Sequence, residues 1–270
     1  MISILFYIKD CNFAAYMHHQ SKMEEYLIGI DDTDNKESRG TGFLSRLMAQ
    51  RIAEENLGFH NGITRHQLLF DPRVPYTSQN SSACIALKTN QPNELWDFMI
   101  DFLINSCAIG SDCGLCMIKQ SSVPQSIVSW GLKAKVDLVN KTLAANLAQK
   151  EGVQLIGLTG THDGIIGAMA GVGLRASGND GRFVSLPQAD IRSITGSHKL
   201  GDAKRNIGFE KAVTIQGHEV DDSAFVCFDG GWLRPVLKNG DITIVLNKTE
   251  KNGKSIYELA SKDFIKSISN

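Results

Sequence analysis

The sequence lacks the features that mark secreted, membrane-spanning or strongly basic proteins. Only six of its 270 residues are cysteine, which does not suggest a disulfide framework, so a reduced cytoplasmic location is expected. The formal net charge is −1, so no strong basic field is available to hold nucleic acid by charge alone. The N-terminal apolar run breaks at Lys9-Asp10, far short of the roughly 20 residues that span a bilayer. No membrane partner is therefore expected.

The composition is that of an ordinary folded protein. Hydrophobic residues make up 42% and charged residues 21% of the chain, which is long enough to bury a substantial core. A strong strand pattern begins only at Tyr26. Residues 1–22 are therefore expected to be an extension outside the functional fold, with Met23 as the natural start.

Apolar patterns in the first half predict strands alternating with helices. Tyr26–Ile30 and Ala83–Leu87 are short apolar runs typical of buried strands. Apolar residues have helical spacing over 43–57, and a second helical segment runs from Pro92 to about Leu103. This order favours an α/β or α+β layer structure.

The second half starts helical and then turns to strands. The pattern predicts one long amphipathic helix over about 133–150, with Val136 and Leu143 on its apolar face. A strand over 153–158 follows, and a Gly-rich loop then leads into a small-residue helix over 165–174. Beyond Arg182 the pattern indicates strands, with a hairpin turn at Asn252-Gly253.

An acidic turn follows the first predicted strand. Asp31, Asp32 and Asp34 lie within four residues, just past the carboxyl end of that strand. A divalent cation relieves such like-charge repulsion, and hard carboxylate oxygens suit Mg²⁺ shared with substrate phosphates. The alternative is a solvated acidic loop, in which water screens the repulsion. The placement beyond a buried strand favours metal-assisted phosphoryl chemistry.

The next motif is Gly40-Thr41-Gly42, directly before the predicted helix. Glycines let the backbone approach a phosphate closely, and the free N–H groups of the helix start point toward it. Thr41 has three readings: it caps the helix, offers its hydroxyl to Mg²⁺, or accepts a phosphoryl group. Capping is favoured when Thr41 is taken alone.

These residues resemble a known family. Ile28–Asp34, followed by Thr41 at a helix start, is similar to the N-terminal kinase-like domain of tRNA agmatidine synthase. Residues 71–76 and 157–174 resemble two further segments of that family, in the same order. The resemblance implies an α+β fold with a kinase-like α/β domain, then a ferredoxin-like domain and a small β-rich tail. It also implies ATP bound with Mg²⁺ near the acidic turn, in an enzyme that activates a tRNA cytidine carbonyl for amine attack.

The resemblance assigns roles by position. Asp31, Asp32 and Asp34 are expected to take metal and phosphate roles, and Thr41 falls on the threonine that the family can phosphorylate. His162 is either a nucleotide contact or an ordinary polar loop residue. The expected nucleotide-binding positions are Gly40, Gly42, Gly160, His162 and Gly164.

The chain also departs from the family. Residues 77–82 lack the two cations and two glycines of the family's basic stretch. This loss weakens electrostatic binding of RNA, so RNA is a less strongly supported partner than the nucleotide. The family's OB-fold and zinc ribbon have no evident counterpart, so a short form is predicted. The cations between Arg175 and Arg205 could contact phosphates, but scattered cations of this kind are usually a solvated surface.

These observations give the prediction for the whole chain. The expected segments are an extension (1–22), a kinase-like domain (23–130), a ferredoxin-like domain (131–205) and a β-rich tail (206–270). The leading function is ATP- and Mg²⁺-dependent phosphoryl transfer, or carbonyl activation for amine attack. One alternative is a tRNA-modifying enzyme that obtains its RNA grip from a partner chain, and another is a nucleotide-binding sensor without turnover. The sequence leaves the oligomeric state open.

Overall fold

A computed structural model gives the fold, and it describes residues 23–74, 79–229, 231–251 and 254–269. The predictions for the extension over 1–22 and for the turn at Asn252-Gly253 lie outside these residues. Parts of the segment over 71–76, which resembles the family, and of the segment over 77–82, which departs from it, lie outside these residues as well.

The described residues form one mixed sheet flanked by helices. The helices are α1 (Thr41–Glu54), α2 (Pro92–Ser106), α3 (Gln125–Val136), α4 (Lys141–Glu151), α5 (Ile165–Ala176), α6 (Leu200–Ile207) and α7 (Lys262–Ser269). The strands are β1 (Glu24–Asp31), β2 (Phe59–Gln67), β3 (Ser81–Thr89), β4 (Gly114–Lys119), β5 (Gln154–Gly157), β6 (Arg182–Ser185), β7 (Ser197–Lys199), β8 (Lys211–Thr214), β9 (Phe225–Cys227), β10 (Val236–Lys238), β11 (Asp241–Lys251) and β12 (Lys254–Leu259). None of the helices in these ranges is both long and apolar enough to cross a membrane.

The strand order is β5-β4-β1-β3-β2-β6-β10-β11-β12-β9-β7, and β8 pairs with β11. At the centre, β1 is antiparallel to both β3 and β4, so Ile28 lies opposite Ile85 on one side and Met117 on the other. The pairs β8–β11 and β9–β12 are parallel. The predicted α+β class is confirmed.

Helices cover both faces of the N-terminal half of the sheet, because successive side chains of a strand point to opposite faces. Leu27 packs in a buried cluster with Trp130 of α3 and Ala168 of α5. The next residue, Ile28, packs in a second cluster with residues of α1 and α2, among them Met48. Strand β1 is therefore buried between two layers of helices, and the acidic turn begins where this strand ends.

The predicted strands near Tyr26 and Ala83 and the first two predicted helices are confirmed as β1, β3, α1 and α2. The single helix predicted over 133–150 is wrong. Helix α3 ends at Val136, and Asn140 caps α4 by accepting a hydrogen bond from the amide of Leu143 at 3.0 Å. Asparagine favours this cap position over a helix interior. Val136 and Leu143 are 71% and 49% exposed, so the expected apolar face is not buried.

The predicted boundary between residues 130 and 131 falls inside α3. One buried cluster also joins Leu27 and Cys84, from before that boundary, with Ala134 and Met169 beyond it. The division of the chain into domains stays a prediction.

A buried polar chain ties β2 to the segment after α5. Asp180, which is 8% exposed, accepts a hydrogen bond from His66 Nδ1 at 2.8 Å and is paired with Lys135 of α3. On its other side His66 Nε2 lies 2.8 Å from Thr64 Oγ1. Burial lowers the pKa of His66, while the hydrogen bonds from His66 and Lys135 keep the pKa of Asp180 below its usual range.

We expect Asp180→Asn to lower the free energy of unfolding by about 3 kcal/mol, because removing one member of a buried charged group leaves the others unpaired. Urea unfolding monitored by circular dichroism measures the change. The matched control is Asp222→Asn, which removes an exposed partner of Lys204 and is expected to cost less than about 1 kcal/mol. Equal effects of the two substitutions would contradict the structural role of Asp180.

Candidate functional site

The acidic turn leaves the sheet at the end of β1 with a tight change of direction. Asp31 is the last residue of β1, and Asp32 has a φ of 52°. Aspartate and asparagine adopt this left-handed conformation more readily than most residues. The strand therefore ends directly before a residue in the left-handed region.

A chain of hydroxyl hydrogen bonds joins the turn to α1. Thr33 Oγ1 donates to Thr41 Oγ1 at 3.1 Å, and Thr41 Oγ1 donates to Asp34 Oδ1 at 3.0 Å. Both threonines are buried, at 3% and 7% exposure. The orientation of the Thr41 hydroxyl is thus set by the acidic turn.

Thr41 is not a helix cap, so the reading favoured for Thr41 taken alone is wrong. Gly40 occupies the N-cap position, and no side chain caps α1. Thr41 is the first helical residue, and its hydroxyl turns toward Asp34 rather than toward the backbone of its own helix. A Cβ added to Gly42 would meet nothing within 4 Å, so the space beside this residue is open.

Glycines bring α5 unusually close to the end of β1. A Cβ on Gly167 would lie 1.8 Å from Asp31 Oδ2, and a Cβ on Gly29 would lie 1.9 Å from the carbonyl oxygen of Ala168. A Cβ on Gly164 would stand 2.9 Å from the carbonyl oxygen of Asp31. Only glycine permits these approaches, so the start of α5 is packed against the acidic turn.

Two more carboxylates face the acidic turn. The Asp112 side chain accepts the amide hydrogen of Thr161, and its approach requires glycine at position 160, where a Cβ would lie 1.9 Å from Asp112 Oδ1. Asp163 accepts a hydrogen bond from Thr161 Oγ1 at 2.8 Å and pairs with Lys141 of α4 at 3.2 Å. The loop before β4, through Asp112, and the loop before α5, through Asp163, therefore add negative charge beside the acidic turn.

Burial and crowding disfavour the charged states of Asp31 and Asp32. Burial raises the pKa of Asp31 to about 8, and the charge of Asp32 adds to the rise. Burial likewise raises the pKa of Asp32 to about 6, with the charge of Asp112 as the next cause and those of Asp34 and Asp163 after it. A cation at this turn would reverse both shifts.

A cavity of about 560 Å³ opens at this turn. Its lining includes Asp31, Asp32, Asp34, Thr41, Asp163, Gly164 and Gly167 together with the apolar side chains of Leu68, Leu69, Val139 and Ile166. Asn140 and Lys141, at the start of α4, also line it. The cavity thus combines a carboxylate end with an apolar wall.

The structure brings together five of the residues expected at the site: Asp31, Asp32, Asp34, Thr41 and Gly164 all line this carboxylate cavity. Gly40 and Gly42 line the neighbouring cavity instead. Gly160 and His162 line neither of these two cavities. His162 has a φ of 66° and packs against Gly157.

Within the described ranges, no three His, Cys, Asp or Glu side chains lie close enough together to hold a metal ion by themselves. Mg²⁺ usually takes only one or two protein carboxylates and completes its shell with waters and phosphates. The assignment of Asp31, Asp32 and Asp34 to a metal therefore stays a prediction.

Comparison with known proteins supports the fold over about half of the chain. No family model matches the sequence. An uncharacterized protein of Methanocaldococcus jannaschii is 30% identical over 155 residues, which are 57% of this chain and 51% of that protein. The chain thus spans about half the length of the curated relative that it matches.

Two solved structures are similar over a comparable share of the chain. A tRNA fluorescent labeling enzyme aligns with a TM-score of 0.50 and 25% identity over 55% of this chain and 36% of its own. The second is the complex of TiaS, a tRNA(Ile2) agmatidine synthetase, with tRNA(Ile2) and ATP. It aligns with a TM-score of 0.50 and 24% identity over 56% of this chain and 36% of its own. The chain has a TiaS-like fold over this part, and the short form expected from the sequence stays a prediction.

Proposed function

We propose that the chain binds ATP with Mg²⁺ in the carboxylate cavity and uses it to transfer a phosphoryl group or to activate a carbonyl for amine attack. One observation carries the proposal: the cavity collects Asp31, Asp32, Asp34 and Thr41 beside the glycine-rich start of α5. Carboxylates for a cation and a placed hydroxyl are groups that phosphoryl chemistry uses.

The cavity suits a nucleotide in size and lining. Its volume of about 560 Å³ lies within the roughly 300–1,000 Å³ of small-molecule sites. Leu68, Val139 and Ile166 give an apolar wall for a base. Burial, and after it the charges of neighbouring carboxylates, raises the pKa values of Asp31 and Asp32, and a divalent cation would favour their charged forms. Mg²⁺, when bound, supplies the positive charge that offsets the phosphates.

The chain's own residues divide the remaining tasks. Asp31, Asp32 and Asp34 are the carboxylates that we assign to the cation, and Asp31 packs against Gly167. Thr41 presents its hydroxyl from the first turn of α1, held by hydrogen bonds with Thr33 and Asp34. The start of α5 lines the same space through Gly164, Ile166 and Gly167.

Thermal unfolding with Mg²⁺ and ATP, ADP or GTP tests this proposal. At an ATP concentration about 100 times Kd, binding adds about 2.7 kcal/mol of stability, which raises Tm by roughly 5–10 °C in a chain of this size. A rise that needs both ATP and Mg²⁺ supports the site. No shift with any nucleotide would sink the proposal, and a shift without turnover would favour a nucleotide sensor.

A second candidate is an enzyme that uses ATP to modify tRNA. The match to a tRNA fluorescent labeling enzyme, at 25% identity and a TM-score of 0.50, favours it. The expected observation is ATP turnover that rises when total tRNA and an amine are added to the protein. Turnover that is indifferent to tRNA would contradict this candidate and leave ATP use itself in place.

Replacing Thr41 by alanine separates a covalent role from a positioning role. If Thr41 accepts the phosphoryl group, we expect Thr41→Ala to lower ATP turnover by at least about a hundredfold, roughly 2.7 kcal/mol in the activation free energy. The ATP-dependent rise in Tm should remain, because the carboxylates are still present. Thr41→Ser keeps the hydroxyl and is the matched control. Unchanged turnover in the alanine variant would count against a covalent intermediate.

A further inference from the structure

Arginines line two cavities that continue from the carboxylate cavity. The first, of about 690 Å³, shares Asp34, Thr41, Gln79 and Ser81 with it and contains Arg39, Arg46, Arg65 and Arg192. The second, of about 310 Å³, shares Arg65 and Arg192 with the first and adds Arg182, Arg234, Lys262 and Lys266. We call Arg39, Arg46, Arg65, Arg182, Arg192 and Arg234 the arginine trough.

The trough is assembled from distant parts of the chain. Arg46 belongs to α1, Arg65 to β2 and Arg182 to β6, and the last two strands are neighbours in which Arg65 lies opposite Arg182. Arg192 and Arg234 come from loops of the C-terminal half. Arg182 and Arg192, two of the cations that the sequence left as either phosphate contacts or a solvated surface, line these cavities.

Aromatic rings hold several of these guanidinium groups. Arg192 and Arg234 lie 5.4 Å and 6.0 Å from the ring centroid of Trp232, which is 55% exposed. The guanidinium of Arg39 lies 3.8 Å above the ring of Phe43. Cation–π contacts fix the arginines without neutralising them, so their charge stays available to a ligand.

The positive charges repel one another. Burial lowers the pKa of Arg65 to about 10, and Arg182 adds to the fall. Within the described ranges, the Arg65 side chain donates to the amide oxygens of Gln67 and Gln79, both at 3.4 Å. Arginines held near each other in partly buried positions are stabilised when an anion enters.

Carboxylates offset little of this charge. In the described part of the chain, the ion pairs of the trough within 4.0 Å comprise only Arg192 with Asp190, at the 4.0 Å limit. Asp34 lies at the end of the trough that opens into the carboxylate cavity. The charge therefore changes sign along one continuous depression, from negative at the acidic turn to positive beyond it.

We propose that the arginine trough is an anion site separate from the ATP site, and that it binds phosphate groups of a nucleotide, either free or within a single-stranded chain. The planar guanidinium matches phosphate oxygens two at a time. Binding in the trough does not require ATP use. Because the trough lies beside Thr41, we assign it to the phosphates of the molecule that accepts the phosphoryl group. This assignment of the ligand as the acceptor rests on the proposed function.

Binding of a fluorescein-labelled single-stranded RNA oligonucleotide, measured by anisotropy at several salt concentrations, tests the trough. Inorganic phosphate and uridine monophosphate, measured by calorimetry, test the free sources. We expect the double variant Arg192→Gln/Arg234→Gln to bind the oligonucleotide about a hundredfold more weakly, since each lost charged contact costs about tenfold. The slope of log affinity against log salt should flatten by about 0.7 for each contact.

The matched control is Arg205→Gln, which makes the same change at an exposed position paired with Asp202, and it should bind like wild type. Binding of the oligonucleotide alone identifies a chain ligand, and binding of phosphate or uridine monophosphate alone identifies a free one. Wild type binding none of these, or the double variant binding as tightly as wild type, would overturn the proposal. The Mg²⁺ATP-dependent rise in Tm, measured on the same variants, reports separately on the carboxylate cavity.

Discussion

Replacing Asp32 by asparagine is expected to abolish the stabilisation by Mg²⁺ATP while making the ligand-free protein more stable. Burial and the charges of neighbouring carboxylates raise the pKa of Asp32 to about 6, so at neutral pH its charge destabilises the folded state. Asparagine removes the charge and still suits the left-handed backbone at this position, where φ is 52°. After allowance for solvent screening the expected gain is about 1 kcal/mol.

The sign of this effect is checked by pH. A carboxyl whose pKa is raised on folding binds its proton more readily in the folded state, so stability rises as pH falls. Without nucleotide, the contribution of Asp31 and Asp32 to the unfolding free energy should therefore increase as pH falls through about 8 and 6, their pKa values, while buried His66, whose pKa is lowered, contributes in the opposite direction. The increase should level off near pH 4, where unfolded aspartates titrate. The asparagine variant should lose the lower part of this rise.

Thermal and urea unfolding of Asp32→Asn, with and without Mg²⁺ATP, give the two readouts. Asp202→Asn is the control, since it lies at an exposed position of α6 paired with Arg205. It should keep the full response to nucleotide and change the unfolding free energy by less than about 1 kcal/mol. A variant at Asp32 that still responds fully to Mg²⁺ATP would remove the acidic turn from the proposed site.

The second large effect is expected at Gly29, in the centre of β1. A Cβ at this position would lie 1.9 Å from the carbonyl oxygen of Ala168 and 2.8 Å from its carbonyl carbon. The obstacle is helix backbone, so relief requires α5 to move away from the sheet. We expect Gly29→Ala to lower the unfolding free energy by about 3 kcal/mol, the upper end for overpacked cores.

The same displacement should weaken nucleotide binding, because β1 and α5 both line the carboxylate cavity. Gly201→Ala in α6 is the control: its Cβ would come no closer than 3.3 Å to Asp222, and alanine suits a helix interior better than glycine. Urea unfolding measures the first effect and the Tm response to Mg²⁺ATP the second. Wild-type stability in Gly29→Ala would mean that the helix does not approach the strand this closely.

The sequence predicted the central strands because their apolar runs are continuous, as in β1 and β3. It missed β2, whose residues are largely polar. Thr64 and His66 are fully buried there, and they satisfy each other and Asp180 by hydrogen bonds. A hydrophobic pattern carries no signal for a strand buried by polar pairing with a residue more than one hundred positions away.

The candidate site was predictable where its residues are neighbours in sequence. Asp31 to Thr41 form one local motif, and the structure places four of its predicted residues in one cavity. On the other wall, Leu68 comes from the loop after β2, Val139 from the loop between α3 and α4, and Lys141 from the start of α4. No local pattern marks them, and the wrong prediction of one helix over 133–150 hid the last two.

The left-handed backbone at Asp32 limits the substitutions that this position accepts without backbone strain. Only glycine, asparagine and aspartate fit such a conformation with little strain, and the codons for the first two lie a single base away from an aspartate codon. The carboxylate can therefore be lost in one genetic step while the turn keeps its shape. Most other substitutions add backbone strain to the loss of charge, so an alanine scan at this residue would report the two effects together. Natural variants that carry asparagine or glycine in place of Asp32 would keep the conformation of the turn and lack this carboxylate.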